Sequence, residues 1–519
     1  MSHTHPLNLP EIRSTIANSL GRKELASCAR VCQDWHDSFT PPLYNSVVFS
    51  KHGVSMESFE IHKHLIRHLV IQRSAYKNIP SSSMRDIAAS IVTNSTLATL
   101  NLEGNAIGPD GAQGLFEGLR TNSTLTTLNL YNNLIGPNGV QVLSEVLKSN
   151  STLTTLILEG NEIGPDGAQA LSEALKSNST LTTLVVVNNS IGTAGARALS
   201  EALKGNSTLA ILNLRHNEIG PHGAQALSEA LKINSTLTTL DLSTNTIKIS
   251  GSHALSEALK TNSTLTTLEL SNNLIGDNGV QELAEALKIN SALSTLNLYN
   301  NSIGNSGTQA LSEVLKINST LTTLSLWCNL IGDNETQALS EALKSNSTLT
   351  ILNLRGNAIG PNGAQALSEA LKTNSILTTL NLGGQQYWTQ RSPGTINSTL
   401  TTLHIRSNYI GHNGAQALSE AIETNSTLTT LYLDNNKIGS NGVQVLSESL
   451  KTNSALTTLY LSRNLIRDNG AQALSEALKT NRTMTTLNLQ YNPIGDNGVQ
   501  ALSEALKTNR TVTITGVRL

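Results

Sequence analysis

Aromatic side chains make up only 3% of this 519-residue chain and charged ones only 14%, both below what folded globular proteins usually carry. A surface so poor in charge must be built largely from Ser, Thr, Asn and Gln. Three cysteines are too few to staple a chain of this length, which excludes a disulfide-rich secreted scaffold. Basic and acidic residues nearly balance, 35 against 37, for a formal charge of −2. Bulk charge therefore supplies no drive toward nucleic acid or an anionic membrane, and neither is expected as a partner. Residues 1–20 lack a basic head followed by an apolar run, so no signal peptide is expected. No apolar stretch approaches the roughly 18 residues that span a bilayer. A soluble protein of the cytoplasm and/or nucleus is expected. Also missing are a Gly-x-x-x-x-Gly-Lys-Ser/Thr phosphate loop and a Gly-x-Ser-x-Gly nucleophile elbow. No enzyme activity and no cofactor is expected.

What is present is repetition. A single hydrophobic core stops growing at roughly 250 to 300 residues, so a chain of this size is several domains or one repeat array. From Leu97 to Leu377 the pattern Leu-x-x-Leu-x-Leu-x-x-Asn recurs every 28 residues. After one 23-residue repeat it resumes at Leu400, Leu428, Leu456, Met484 and Val512. Within one repeat, Leu156 and Leu158 alternate with Ile157 and Glu159, the period-2 signature of a short strand with one buried face. Ala168, Leu171, Ala174 and Leu175 recur at the spacing of an amphipathic helix. Gly164-Pro165 supplies its start. Each repeat is thus one strand and one helix that cannot bury its apolar face alone, and stacking buries it continuously.

Strands pack about 4.8 Å apart, whereas helices need about 10 Å. A horseshoe with parallel strands inside and helices outside is therefore expected. The asparagine after each strand, such as Asn133, Asn161 and Asn189, is read as satisfying loop backbone groups between neighbours. A second asparagine begins the Asn-x-Ser/Thr sequons at Asn122, Asn150 and Asn178. It is read as a helix-exit residue rather than a glycan acceptor. The repeats resemble the ribonuclease-inhibitor-like class of leucine-rich repeats over residues 97–519. That resemblance implies a leucine-rich-repeat solenoid of α/β class whose function is to bind protein.

Residues 1–48 do not follow the repeat. Leu9-Pro10-Glu11-Ile12 opens a helical stripe continued by Ile16 and Leu20. Leu25, Cys28, Ala29 and Cys32 make a second stripe, followed by Trp35 and by Pro42-Leu43-Tyr44. The ordered set resembles an F-box, although the residue usual between Pro and Glu is absent between Pro10 and Glu11. The resemblance implies docking on the adaptor subunit of a cullin-type ubiquitin ligase through Leu9, Pro10, Ile12 and Ile16, with Trp35, Leu43 and Tyr44 locking the helices. The alternative is a helical cap that seals the first repeat. Residues 49–96 are read as a linker and a divergent first repeat, with Ile66, Leu69 and Ile71 in a strand and a helix over 84–92. His62, His64 and His68 cluster, but no cysteine or carboxylate joins them at ligand spacing, so no metal site is expected. Cys28 and Cys32 are read as core thiols.

The helix positions barely change from repeat to repeat, whereas two strand-face positions vary widely. Of the ten aromatic residues after Leu97, five occupy those positions: Tyr131, Tyr299, Trp327, Tyr432 and Tyr460. Arg215, Arg355 and Arg406 join them. Tyr, Trp and Arg anchor protein interfaces, so these eight residues are the candidate target-binding set on the concave face, with Tyr299, Trp327 and Arg355 on successive strands as its centre. Neutral variation on a tolerant, solvated surface is the competing explanation. The combined expectation is a substrate receptor of a ubiquitin ligase, binding an adaptor and an unknown protein target. A ligase-independent scaffold or inhibitor, and less readily a GTPase-activating protein, remain open. The short repeat, 377–399, lacks the helix pattern. Continuous strand pairing with an outer loop is expected there, with Tyr387 and Trp388 filling the space of the missing helix or forming a docking loop.

Overall fold

A computed structural model describes residues 45–49, 63–71, 94–384 and 399–518, together with Ala26 and Ala29. The candidate adaptor-docking residues Leu9, Pro10, Ile12, Ile16, Trp35, Leu43 and Tyr44 lie outside the described residues. So do Cys28, Cys32, His62, the helix expected over 84–92, and residues 385–398 with Tyr387 and Trp388. The chain divides into two compact units, Met1–Ile219 with Glu229–Asp241, and Gly220–Ser228 with Leu242–Leu519.

The first unit is a parallel sheet backed by helices. Its strands are β1 (Ser46–Phe49), β2 (His68–Ile71), β3 (Thr99–Asn101), β4 (Thr127–Asn129), β5 (Thr155–Ile157), β6 (Thr183–Val185), β7 (Ile211–Asn213) and β8 (Thr239–Asp241). They pair in sequence order, so that Val47, Leu69, Leu100, Leu128, Leu156, Leu184, Leu212 and Leu240 stand side by side. Helices α1 (Gly108–Leu119), α2 (Gly136–Leu147), α3 (Gly164–Leu175) and α4 (Gly192–Leu203) follow β3 to β6. Strand β2 contains the expected Leu69 and Ile71, both buried with Ile66. Strand β1 crosses the boundary expected at residue 48, so the sheet begins before it. Its Val47 is buried against β2 although no repeat consensus marks it.

The second unit repeats the plan. Its strands are β9 (Thr267–Glu269), β10 (Thr295–Asn297), β11 (Thr323–Ser325), β12 (Ile351–Asn353), β13 (Thr379–Asn381), β14 (Thr402–His404), β15 (Thr430–Tyr432), β16 (Thr458–Tyr460), β17 (Thr486–Asn488) and β18 (Thr513–Thr515). Pairing is unbroken across the short repeat, with Leu380 opposite Leu403, as expected. Among the described residues, no helix is long and apolar enough to cross a membrane.

In the repeat of β5 the leucines flanking the strand, Leu153 and Leu158, are buried, as are Ala168, Leu171, Ala174 and Leu175 of α3. The helix opens at Gly164 with φ +64°, a backbone that glycine adopts without penalty, and Pro165 follows in the first turn, where a missing N–H costs nothing. The buried asparagines tie repeat to repeat. The Asn161 side-chain nitrogen donates to the carbonyls of Leu130 (2.7 Å), Leu158 (3.0 Å) and Glu159 (3.1 Å). Its Oδ1 accepts from the backbone N–H of Asn133 (3.1 Å) and Ile135 (3.3 Å). The sequon asparagines form a second ladder on the other side of the core. Asn178 donates to Leu147 O (2.8 Å), at the end of the previous helix, and accepts from the N–H of Leu181 (2.8 Å). A side-chain amide so engaged and 6% exposed is closed to a glycosyl group.

Candidate protein-interaction face

In the three-residue strands the central leucine points into the core and both neighbours point out, so the variable residues of the second unit form one continuous strand face. Two aromatic ladders grow from it. Tyr299 and Trp327 stack with centroids 4.3 Å apart and planes at 23°, and the Arg355 guanidinium lies 4.7 Å from the centre of the Trp327 ring. These are the three residues placed on successive strands by the repeat period. Further along, His404 stacks on Tyr432 at 4.0 Å and Tyr432 on Tyr460 at 4.4 Å, with planes at 11° and 6°. In-register pairing of β14, β15 and β16 produces this ladder directly, since His404, Tyr432 and Tyr460 are pairing partners.

The second ladder borders a depression of about 390 Å³ whose lining includes Arg406, Tyr432, Asp434, Tyr460, Arg463 and Tyr491. Arg406 Nε is 2.9 Å from Asp434 Oδ2. The other carboxylate oxygen of Asp434 accepts from Ser462 Oγ (2.6 Å) and from its backbone N–H (3.2 Å). Asp434 is 4% exposed, and Val187, Ser243 and Ser271 are also buried. Several of the variable strand-face positions are therefore packed rather than solvated. Arg463 lies 4.8 Å over the Tyr491 ring, and Lys437 4.4 Å over Tyr409.

Burial lowers the pKa of His404 below the ordinary imidazole value, aided by Arg406 and Arg355 and opposed by Asp434, so at neutral pH the ring acts as an uncharged aromatic. Burial likewise raises Tyr432, with neighbouring Tyr460 adding to the effect. The Cys328 thiol is pushed up by burial against the opposing pull of Arg355, which keeps it protonated. Among the described residues no group of His, Cys, Asp and Glu is placed to hold a metal ion.

Of the eight candidate target-binding residues, six (Tyr299, Trp327, Arg355, Arg406, Tyr432 and Tyr460) share this face. Tyr131 and Arg215 stand exposed in the first unit, on the repeats of β4 and β7. The candidate set omitted His404, Asp434, Arg463 and Tyr491. Comparison at the 28-residue period would have found them, because His404 precedes Tyr432, and Arg406 precedes Asp434, by that interval.

The strand-helix repeat and its asparagine ladders define a leucine-rich-repeat protein. Residues 205–518 match the NLRC3 LRR domain, and segments 93–116, 121–144, 149–172 and 177–200 match the Leucine Rich repeat; the chain belongs to the NLRC3 LRR domain family. No curated protein matches it. It is similar to the solved structure of Leiomodin-1 Actin-Binding Site 2 (ABS2), 22% identical, covering 30% of this chain and 88% of that one with a TM-score of 0.26. Leucine-rich repeats bind proteins and are typically non-enzymatic scaffolds.

Proposed function

We propose that the chain is a substrate receptor of a cullin-type ubiquitin ligase, in the cytoplasm and/or nucleus. The strand face of the second unit selects a target protein, and residues 1–48 dock as an F-box on the adaptor subunit. The observation that carries target recognition is the gathering of scarce aromatic and arginine side chains into stacked, partly exposed ladders on one face. Such residues supply most of the binding energy of protein interfaces. The docking half is supported by the ordered resemblance of Leu9-Pro10, Ile12, Ile16, Trp35 and Leu43-Tyr44 to an F-box, and the repeat length supports the ribonuclease-inhibitor-like subclass.

Co-purification of full-length protein with the adaptor, lost in the double variant Pro10→Ala/Trp35→Ala, tests the docking half. A stable full-length protein that recovers no adaptor overturns it and leaves a ligase-independent scaffold. For the recognition half, Trp327→Ala removes the ring sandwiched between Tyr299 and Arg355. Target binding should weaken by about 2 kcal/mol with the thermal midpoint nearly unchanged. Unchanged binding would move the site away from this ladder.

A further inference from the structure

The chain as a whole is close to neutral, but the strand face from β10 to β17 is not. At the two variable positions from the β10 repeat to the β17 repeat, Asp434 is the only acidic residue. Arg406 and Ser462 already engage it. The same face carries Arg355, Arg406 and Arg463. The repeats before β10 differ, with Glu103, Glu159, Asp241 and Glu269 at the equivalent positions. These three cations are all arginines, whose planar fork matches a carboxylate in bidentate fashion and packs on aromatic rings.

Their spacing is regular. Arg355 follows β12, Arg406 follows β14 and Arg463, one position further along its loop, follows β16. They recur on every second strand, and two strand spacings are about 9.6 Å. A polyproline II segment has three residues per turn and rises about 3.1 Å per residue, so every third side chain falls on one face about 9.3 Å apart. A segment of that form crossing the strands would match the arginine spacing.

We infer that the strand face from β10 to β17 receives an extended segment of the partner protein with an acidic residue at every third position, its carboxylates meeting Arg355, Arg406 and Arg463 and its apolar side chains lying against the two aromatic ladders. The inference rests on the proposed role of this face in target recognition and names the chemistry of what it recognises. Asp434 positions Arg406 through Nε, leaving its η nitrogens for the ligand. Single-stranded nucleic acid also combines negative charge with stacking. Here, however, the rings are stacked on one another at 4.0 to 4.4 Å, which covers the faces on which bases would lie.

The test uses full-length protein and fluorescence anisotropy at low ionic strength. The probes are four labelled ligands: Glu-Pro-Pro repeated four times, its Lys-Pro-Pro counterpart, a peptide of the first composition with its glutamates clustered, and a dodecamer of deoxythymidine. The regular acidic peptide should bind at least tenfold more tightly than the other three. In the Arg355→Gln/Arg463→Gln variant its affinity should fall at least tenfold while the thermal midpoint holds. Equal binding of the acidic and basic peptides, or no binding of either, overturns the inference. Equal binding of the clustered peptide removes the spacing, and tighter binding of the oligonucleotide replaces peptide with nucleic acid. Loss of target binding in Trp327→Ala stands apart from all of these results. If it holds while the acidic peptide fails, the face remains the recognition surface and only its charge preference is wrong.

Discussion

Replacing Asn161 by alanine should cost far more than its neutral, polar side chain implies. The residue is completely buried. Its amide closes three carbonyl contacts and its oxygen receives two backbone N–H groups from the preceding repeat. With the side chain cut back, the N–H of Asn133 and the carbonyl of Leu130 lose the partners described for them in a region that is closed to solvent. Each unsatisfied buried group costs about 1 to 3 kcal/mol, so two predict a loss of about 2 to 6 kcal/mol; a water admitted to the gap would favour the lower end. Guanidinium unfolding followed by circular dichroism measures it. Glu145→Ala is the internal control, because it removes only the exposed ion pair to Lys148, an interaction worth at most about 1 kcal/mol. If Asn161→Ala and Glu145→Ala shift the midpoint equally, the ladder does not hold the repeats together and the reasoning fails.

Three further outcomes follow from local geometry. In α2, a Cβ on Gly139 would sit 2.5 Å from Cγ2 of the buried Ile135. Gly139→Ala should therefore destabilise by about 1 to 3 kcal/mol despite alanine's better helix propensity, and a gain in midpoint would show that Ile135 moves freely. Thr246 is exposed and holds φ +54°, a backbone costly to a β-branched residue and tolerated by asparagine. Thr246→Asn should raise stability by about 0.5 to 1 kcal/mol, and a loss in chemical denaturation would contradict the strain argument. His404 has a folded-state pKa below its ordinary value of 6.5, so as pH falls the unfolded chain takes up the proton first. Its contribution to stability is complete above about pH 6.5 and declines below it. Urea midpoints at pH 7.5 and 5 should therefore fall less in His404→Gln than in the parent, and equal falls would refute the assignment.

The architecture was legible because each element is written many times over. The Leu97-x-x-Leu100-x-Leu102 pattern and the Ala168, Leu171, Ala174, Leu175 stripe return at a fixed interval, and each copy averages out the noise of the others. The loop asparagine was legible for the same reason, since Asn161 has no other role that would demand a polar residue there. The ties made by Asn178 were not fully legible. Sequence shows an asparagine at a helix exit, but only packing brings Leu147 O within 2.8 Å of its nitrogen. Strand β1 escaped because Ser46–Phe49 is one short, largely apolar run with no copy to compare. In the candidate site, Tyr299, Trp327 and Arg355 were read correctly as neighbours, because parallel in-register pairing converts sequence period into contact. The burial of Asp434 was not legible, because it depends on Arg406 and Ser462, each one repeat away.

The strand face and the helix face offer the most direct contrast. Glu313 and Lys316 pair on the surface of the helix Asn305–Leu315, on the opposite side of the repeat from Trp327 and Tyr432. Proteins bound to full-length protein would be quantified by mass spectrometry for the parent, for Trp327→Ala/Tyr432→Ala, and for Glu313→Ala/Lys316→Ala, at matched thermal midpoints. Recognition by the strand face predicts that the first variant loses the target while the second keeps it at parental level. Loss with the helix variant and retention with the strand variant would contradict the account.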